Sequence, residues 1–556
     1  MPSSLSQCAV TVVVPGARER FQSRTHIAFT GCFSWLVPIP AYVKPKLRPW
    51  QDPNRFDRSE PRRPLRVFLD QPLTSGPTDG KGEFAGYPFT GGGSTGFPPS
   101  DAVLRSLLGH AAFEVLFVAD RLELTGAVTL AGEPAPDSDD SFPFEVKTTN
   151  GVRYVSFAWY CEAVAEMKRM AAKHHVREED ARAGVFLHRA GIVLEADLII
   201  TSREWLLAEQ GHGRLTSVFS PEEALALMAL YLRWHELPVI VGGAPVRWNP
   251  ASMRRSAAFT ALPAFERWNQ AARAWHGTDR DLTLENLNQT CLTRVARAFK
   301  FRDSVYGLSA TMAEDEPEEM LCELDSLLFS LVGAFDVAAR AVDLILHLGT
   351  KGSACGWQYT DPKKWQSCLE GPAKELHDYT RDGTEMQRLF KVLRLMRNSV
   401  HNDALGLRRD DGSYLVTIPC DTQENLRALL REGHAGWDRE SSGIRVRPPG
   451  GVTASKWLPG TGRYSVTIRR TGAPPPADPL EGELVIDVQA FIGKVFPACL
   501  AALNQIMYLV PLGQVPGYTP VLDDPPRTGL PWRYSDTTGH RLRMLYGITE
   551  LVSHQP

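Results

Sequence analysis

Between Leu389 and Asp403 the chain reads Leu-Phe-Lys-Val-Leu-Arg-Leu-Met-Arg-Asn-Ser-Val-His-Asn-Asp, with cationic and amide side chains set among regularly spaced apolar ones. At about 100° per residue, Leu389, Val392, Leu393, Met396, Val400 and Ala404 cover one arc of roughly 120°, the face a helix buries. Lys391, Arg394, Arg397, Asn398, His401 and Asn402 gather on the opposite side. Arginine presents a fixed positive fork to a phosphodiester, and histidine both accepts and donates a proton near neutrality. Such a stripe can hold a phosphate and move a proton.

Arg397-Asn398-Ser399-Val400-His401-Asn402 resembles the motif of the HEPN domains, helical bundles named for nucleotide binding in higher eukaryotes and prokaryotes. That motif is an arginine, usually followed by a polar residue, then a histidine with four to six residues between it and the arginine, near the end of a long helix. Arg397 and His401 have three residues between them, and Arg394 and His401 have six, so either arginine can stand for the family's catalytic one. The resemblance spans about 314–510 in helix order, and its specific part is the six-residue motif. It implies a metal-independent endoribonuclease in which two motif helices meet across a homodimer and a ribose 2′-hydroxyl attacks the adjacent phosphate. His401 would then be general base or acid, Arg394 and Arg397 the stabilisers of the phosphorane, and Asn398 an orienting amide. Lys391 and Asn402, on the same stripe, are the RNA-binding candidates. Many such nucleases are toxins or anti-phage effectors that cut cellular RNA. The alternative is a catalytically silent HEPN-like dimer used as a ligand- or partner-binding module.

Other motifs carry less. Glu145 and Lys147 have the Glu-x-Lys spacing of a metal-dependent nuclease strand, with Asp120 or Asp137 to complete a site, yet the wet face of a hairpin reads the same way. Gly92-Gly93-Ser94-Thr95-Gly96 has the letters of a nucleophile elbow but is followed by Phe97-Pro98-Pro99 where a helix is required. His174 and His175 with Glu178 and Glu179 read more simply as a solvated helix end than as a metal site. The basic cluster from Lys44 to Arg66 is interleaved with Asp52, Asp57 and Glu60, which favours plain solvation. No metal or cofactor is predicted.

These residues need a frame, and the composition provides one. The chain has 556 residues, 43% hydrophobic and 22% charged, enough for two to four domains with real cores. Its net charge of −3 lacks the overall basic excess of a non-specific nucleic-acid coat. Nine scattered cysteines without a C-x-x-C pair suit a reducing cytosol. The apolar run from Ser326 meets Asp336 and Arg340, so no membrane span is predicted there and a cytoplasmic location is expected.

The fold class read from this is α+β, with three regions: a β-rich segment 1–157, a mixed segment 158–310, and a HEPN-like helical bundle 311–556 carrying a β insertion at about 407–486. The N-terminal half is read as a sensor or regulator with its own trigger ligand or protein. Strands are predicted at Leu65–Leu69, Phe113–Val118 and Leu122–Leu130, and a hairpin at 144–157 about Asn150-Gly151. A strand is also read at Ile192–Ile200. Helices are predicted over 158–174, from the Ser220-Pro221-Glu222-Glu223 start to Trp234, over 264–275 and 284–301, from the acidic 314–319 stretch to about Leu348, over 383–404, and from an Asp487 cap to Val510. Asp325, Asp336, Arg340, Asp343 and His347 fall on one stripe of the helix that begins near Pro317, either a second wall of the site or a solvated face.

Overall fold

The structure is a computed structural model; it describes residues 64–70, 103–104, 107–118, 127–132, 144–148, 153–156, 160–208, 218–237, 250–308, 316–350, 354–357, 365–402, 407–410, 413–418, 420–431, 444–447, 452–458, 462–468, 483–519, 542 and 545–547. The class is α+β, as the sequence indicates. Strands β1 (Leu65–Leu69), β2 (Phe113–Val118), β3 (Ala127–Gly132), β4 (Phe144–Thr148) and β5 (Arg153–Ser156) are followed by helices α1 (Tyr160–His174) and α2 (Glu178–Val193). Then come β6 (Leu198–Ile200), α3 (Glu204–Ala208), β7 (Val218–Phe219) and α4 (Pro221–Trp234). All seven strands form one sheet in the order β5-β4-β3-β2-β1-β6-β7. Its centre, β3 to β7, is parallel, and β4 and β5 add the expected antiparallel hairpin at one edge. Strands on both sides of residue 157 therefore share a single layer.

A parallel strand buried on both faces must be apolar at every position. In β1, Leu65, Val67 and Leu69 join one core, and Phe68 points into the other. The second core is closed by Val185, Leu187 and Ala190 of α2 and by Trp205 of α3. The first is closed by α4, which is buried nearly all round because it lies between the sheet and the helices that follow. Its start is the predicted capping box: Ser220 Oγ accepts from the Glu223 amide at 3.2 Å, and the Glu223 carboxylate accepts from the Ser220 amide at 2.9 Å.

One predicted strand changes type. Ile192 and Val193 end α2, Glu195 takes a left-handed φ of 50°, and only Leu198–Ile200 is extended. Two glycines lower the helix propensity of 178–193, but burial decides it. At Gly184 a Cβ would stand 2.3 Å from the Trp205 ring, so glycine is what lets α2 approach α3.

The remaining helices are α5 (Pro250–Ala261), α6 (Phe265–Asp279), α7 (Thr283–Leu308), α8 (Glu316–Ile345), α9 (Lys374–Thr380), α10 (Glu385–Asn402), α11 (Cys420–Arg431) and α12 (Val488–Leu509). Between α10 and α12 lie β8 (Leu407–Asp410), β9 (Ser413–Thr417), β10 (Ile444–Arg447), β11 (Val452–Leu458), β12 (Gly462–Ile468) and β13 (Glu483–Asp487). They make a four-stranded antiparallel sheet, β10-β13-β9-β8, and a β11-β12 ribbon, with α11 as a helix that the predicted all-β insertion did not contain. Residue 310 separates α7 from α8, yet these two helices pair along their lengths, so the bundle begins before residue 311, where the sequence places its start. Asp487 caps α12, accepting from the Ala490 amide at 3.1 Å. By length and composition α12 is apolar enough to cross a membrane; Phe491, Ile492, Val495, Phe496, Leu500, Leu503 and Ile506 are buried in the core.

The sheet layer is tied to the bundle by an ion network. Arg233 at the end of α4 donates to Asp303 of α7 through Nε (2.7 Å) and Nη2 (3.2 Å), and Arg302 donates to the same carboxylate at 2.8 Å. Arg302 lies against the paired rings of Phe299 and Phe496, 4.9 and 4.8 Å from their centroids, while Arg233 covers Tyr546 and donates to the Leu545 carbonyl. Burial alone would raise the Asp303 carboxyl, but the two guanidiniums outweigh it and hold the group below the usual aspartate range. Removing one partner from a buried network leaves charge uncompensated at a cost of about 3–5 kcal/mol. Asp303→Asn is expected to lose stability of that order in denaturant melts at neutral pH. Because a depressed carboxyl stabilises above its unfolded pKa, the wild-type advantage should fade below about pH 4.

Candidate functional site

The predicted apolar arc of α10 is its buried face: Leu389, Val392, Leu393 and Met396 enter the core, as do Met386 and Phe390, whose ring meets Phe335 of α8 edge-on at 5.5 Å. This packing fixes the rotation of α10 and turns the polar stripe outward. Arg394 is exposed, and Lys391, Arg397 and Asn398 are partly so. Lys391 is paired with Asp382 at 2.6 Å, and Arg397 Nη1 donates to Asn398 Oδ1 at 3.1 Å. On the inner side Ser399 bonds to the Leu395 carbonyl at 2.8 Å and to Thr422 of α11 at 2.7 Å, which anchors the last turns. His401 and Asn402 close α10; their side chains, and that of Val400, lie outside the described residues, as does Ala404.

The stripe meets residues from two other helices. On α8, Phe329, Gly333, Asp336 and Arg340 recur at offsets of four, three and four, which puts them on one face. Asp336 is half-buried, and burial pushes its carboxyl above the usual aspartate range, against the opposing pull of Arg340, Arg397, Arg394 and Arg294. Arg294 comes from α7. Its guanidinium lies 4.9 Å from the Phe329 ring centroid, and that of Arg397 lies 5.7 Å from the same ring. A Cβ at Gly333 would stand 2.8 Å from Arg294 Nη1, so the glycine is the notch in which that guanidinium rests. Four guanidiniums from three helices thus act through space on one carboxylate, an excess of positive charge in a chain whose net charge is negative.

The stripe predicted on α8 divides. Asp336 and Arg340 belong to the arginine cluster. Asp343 is buried, accepting from Trp365 Nε1 at 2.8 Å and from the Thr350 amide at 3.2 Å, and His347 stacks on Trp275 with centroids 5.5 Å apart; these two are fixed by packing. Asp325 is partly exposed. Arg294, Phe329 and Gly333 escaped the sequence reading. The four-three-four spacing on α8 is a signal for Phe329 and Gly333, but nothing local marks Arg294, which reaches the site only through the pairing of α7 with α8.

The other motifs lie apart from this cluster or outside the described residues. Lys147 faces Thr129 and Arg153 across the inner strand β4, while Asp120, Asp137 and the Glu145 side chain lie outside the described residues, as do 92–96. The His174 ring tilts against Trp205 at 6.1 Å, and among the described residues no three His, Cys, Asp or Glu side chains are grouped to hold a metal. Arg66, from the predicted basic cluster, is engaged with Glu114 at 3.0 Å and with the Leu194 carbonyl at 2.6 Å; residues 44–63 lie outside the described residues. A shallow cleft opens beside Arg233, Arg254, Lys300 and Tyr546, and is lined by none of the stripe.

Comparison with protein-family models, curated proteins and solved structures gives no match.

The Asp336 carboxyl offers a direct check on this electrostatic arrangement. A carboxyl raised by folding favours the native state while protonated and costs stability as pH rises through its native pKa. Asp336→Asn removes that cost. The variant is expected to melt higher than wild type at pH 7, with the gain shrinking toward pH 4, in parallel thermal scans across that range.

Proposed function

We propose that this protein is a HEPN-like, metal-independent endoribonuclease, a cytoplasmic toxin or anti-phage effector whose N-terminal half senses a trigger or restrains the nuclease. The observation that carries this reading is the gathering of Arg294, Arg340, Arg394 and Arg397 around Asp336, on the exposed side of the helix whose last turn holds His401. In-line cleavage of RNA moves the 2′-hydroxyl oxygen onto phosphorus, breaks the bond to the 5′-oxygen, and passes through a phosphorane with additional negative charge. Guanidiniums held in place before the reaction stabilise that charge without reorganisation. A base takes the 2′-hydroxyl proton and an acid returns one to the leaving oxygen, leaving a 2′,3′-cyclic phosphate and a 5′-hydroxyl. His401 is the residue for both roles, one from each protomer of a homodimer with the α10 helices near its two-fold axis. Asn398 orients Arg397, to which it is bonded, and Lys391 and Asn402 extend the RNA contact at the two ends of the stripe.

The full-length protein should run as a dimer in light scattering and cleave tRNA or total RNA in EDTA, with His401→Ala slower by roughly 100-fold or more, the range of general acid–base catalysis. Equal cleavage by both proteins, or none by either, contradicts the assignment. RNA binding without cleavage would favour the silent binding module.

A further inference from the structure

Phe329 is out of place on α8. Its apolar neighbours Leu324, Leu327, Leu328, Leu331 and Phe335 are buried, while Phe329 keeps 49% of its surface exposed. Single exposed apolar residues are common on protein surfaces, so what distinguishes this one is the company the ring keeps. Its surroundings are polar, because the guanidiniums of Arg294 and Arg397 lie 4.9 and 5.7 Å from the ring centroid while about half of the residue's surface stays open. Gly333, one turn further along α8, leaves the space that Arg294 occupies. A second, larger residue there would displace the cation from the ring.

An aromatic face flanked by arginines is the arrangement that binds an unpaired base together with its phosphates: the ring stacks on the base, and the guanidiniums take the backbone charge. Bases inside an A-form duplex are already stacked and cannot be laid on such a ring. We propose that Phe329 is a base-stacking platform and that the RNA taken at this site is single-stranded, with one nucleotide on the ring and its neighbouring phosphate on Arg397. This rests on the ribonuclease reading and adds the form of the substrate to it. The excess of positive charge beside the ring suits a polyanion.

The test measures binding of a fluorescent single-stranded RNA of about 20 nucleotides and of the same sequence in a perfect duplex, by anisotropy in EDTA, using the full-length protein with His401→Ala to prevent cleavage. In that background Phe329→Ala should weaken single-strand binding by roughly 5- to 100-fold, the range for loss of one stacked base, and leave duplex binding within about twofold. Phe329→Trp should restore it. The salt dependence should stay unchanged in Phe329→Ala and become shallower by about one ion in Arg397→Ala, because only the arginine releases counterions. Equal effects on single strand and duplex, or single-strand binding unaffected by Phe329→Ala, overturn the platform while leaving the ribonuclease reading standing. Conversion of a dimer to a monomer by Phe329→Ala assigns the ring to a protein interface and overturns it too. Failure of the parent protein to bind either RNA overturns both.

Discussion

The interaction on which the architecture depends is the buried network of Arg233, Asp303 and Arg302. Charges are expensive to bury, and this one is tolerated because each oxygen of Asp303 accepts from a guanidinium and both guanidiniums lie on aromatic rings. The geometry is demanding and therefore specific. Arg233 ends the helix that covers the parallel sheet, Asp303 and Arg302 belong to the helix that opens the bundle, and Tyr546 brings the C-terminal turn to the same point. The network consequently sets how far along and at what rotation α7 sits against the sheet layer.

That setting propagates to the site. Arg294 lies nine residues before Asp303 on the same helix, about 14 Å along its axis. The pairing of α7 with α8 brings it over Phe329, and the packing of Phe390 on Phe335 brings α10 alongside with Arg394 and Arg397 outward. Each arginine is thus supplied by a helix whose position is decided by apolar contacts elsewhere. The cluster is held together against its own repulsion by those contacts, with one half-buried carboxylate as partial compensation. An anion brought to such a place meets donors already in position.

How much of this could be read from the sequence depends on whether the signal is local. The Ser220 and Asp487 caps, the bounds of β1 and β2, the hairpin of β4 and β5 and the buried arc of α10 are all carried by spacing and side-chain chemistry within a few residues, and each was legible. The helix 178–193 was not, because its glycines oppose a helix until Trp205 packs against Gly184. Nor was the parallel centre of the sheet, whose strands are short and find their partners far away in the chain. At the site the same division holds: Arg394, Arg397, Asp336 and Arg340 follow from helical periodicity, whereas Arg294 joins them only through tertiary packing. Asp343 and His347 share that periodicity with Asp336 and yet serve the packing of Trp365 and Trp275.

In the proposed reaction arginines and a histidine, with no metal, cleave RNA by attack of its own 2′-hydroxyl. The most direct measurement is the chemistry of the fragment ends produced by the purified full-length protein in EDTA. Fragments ending in a 2′,3′-cyclic phosphate, with 5′-hydroxyls on their downstream partners, are the predicted result. Fragments with 3′-hydroxyl and 5′-phosphate ends, formed only when a divalent cation is supplied, would contradict it.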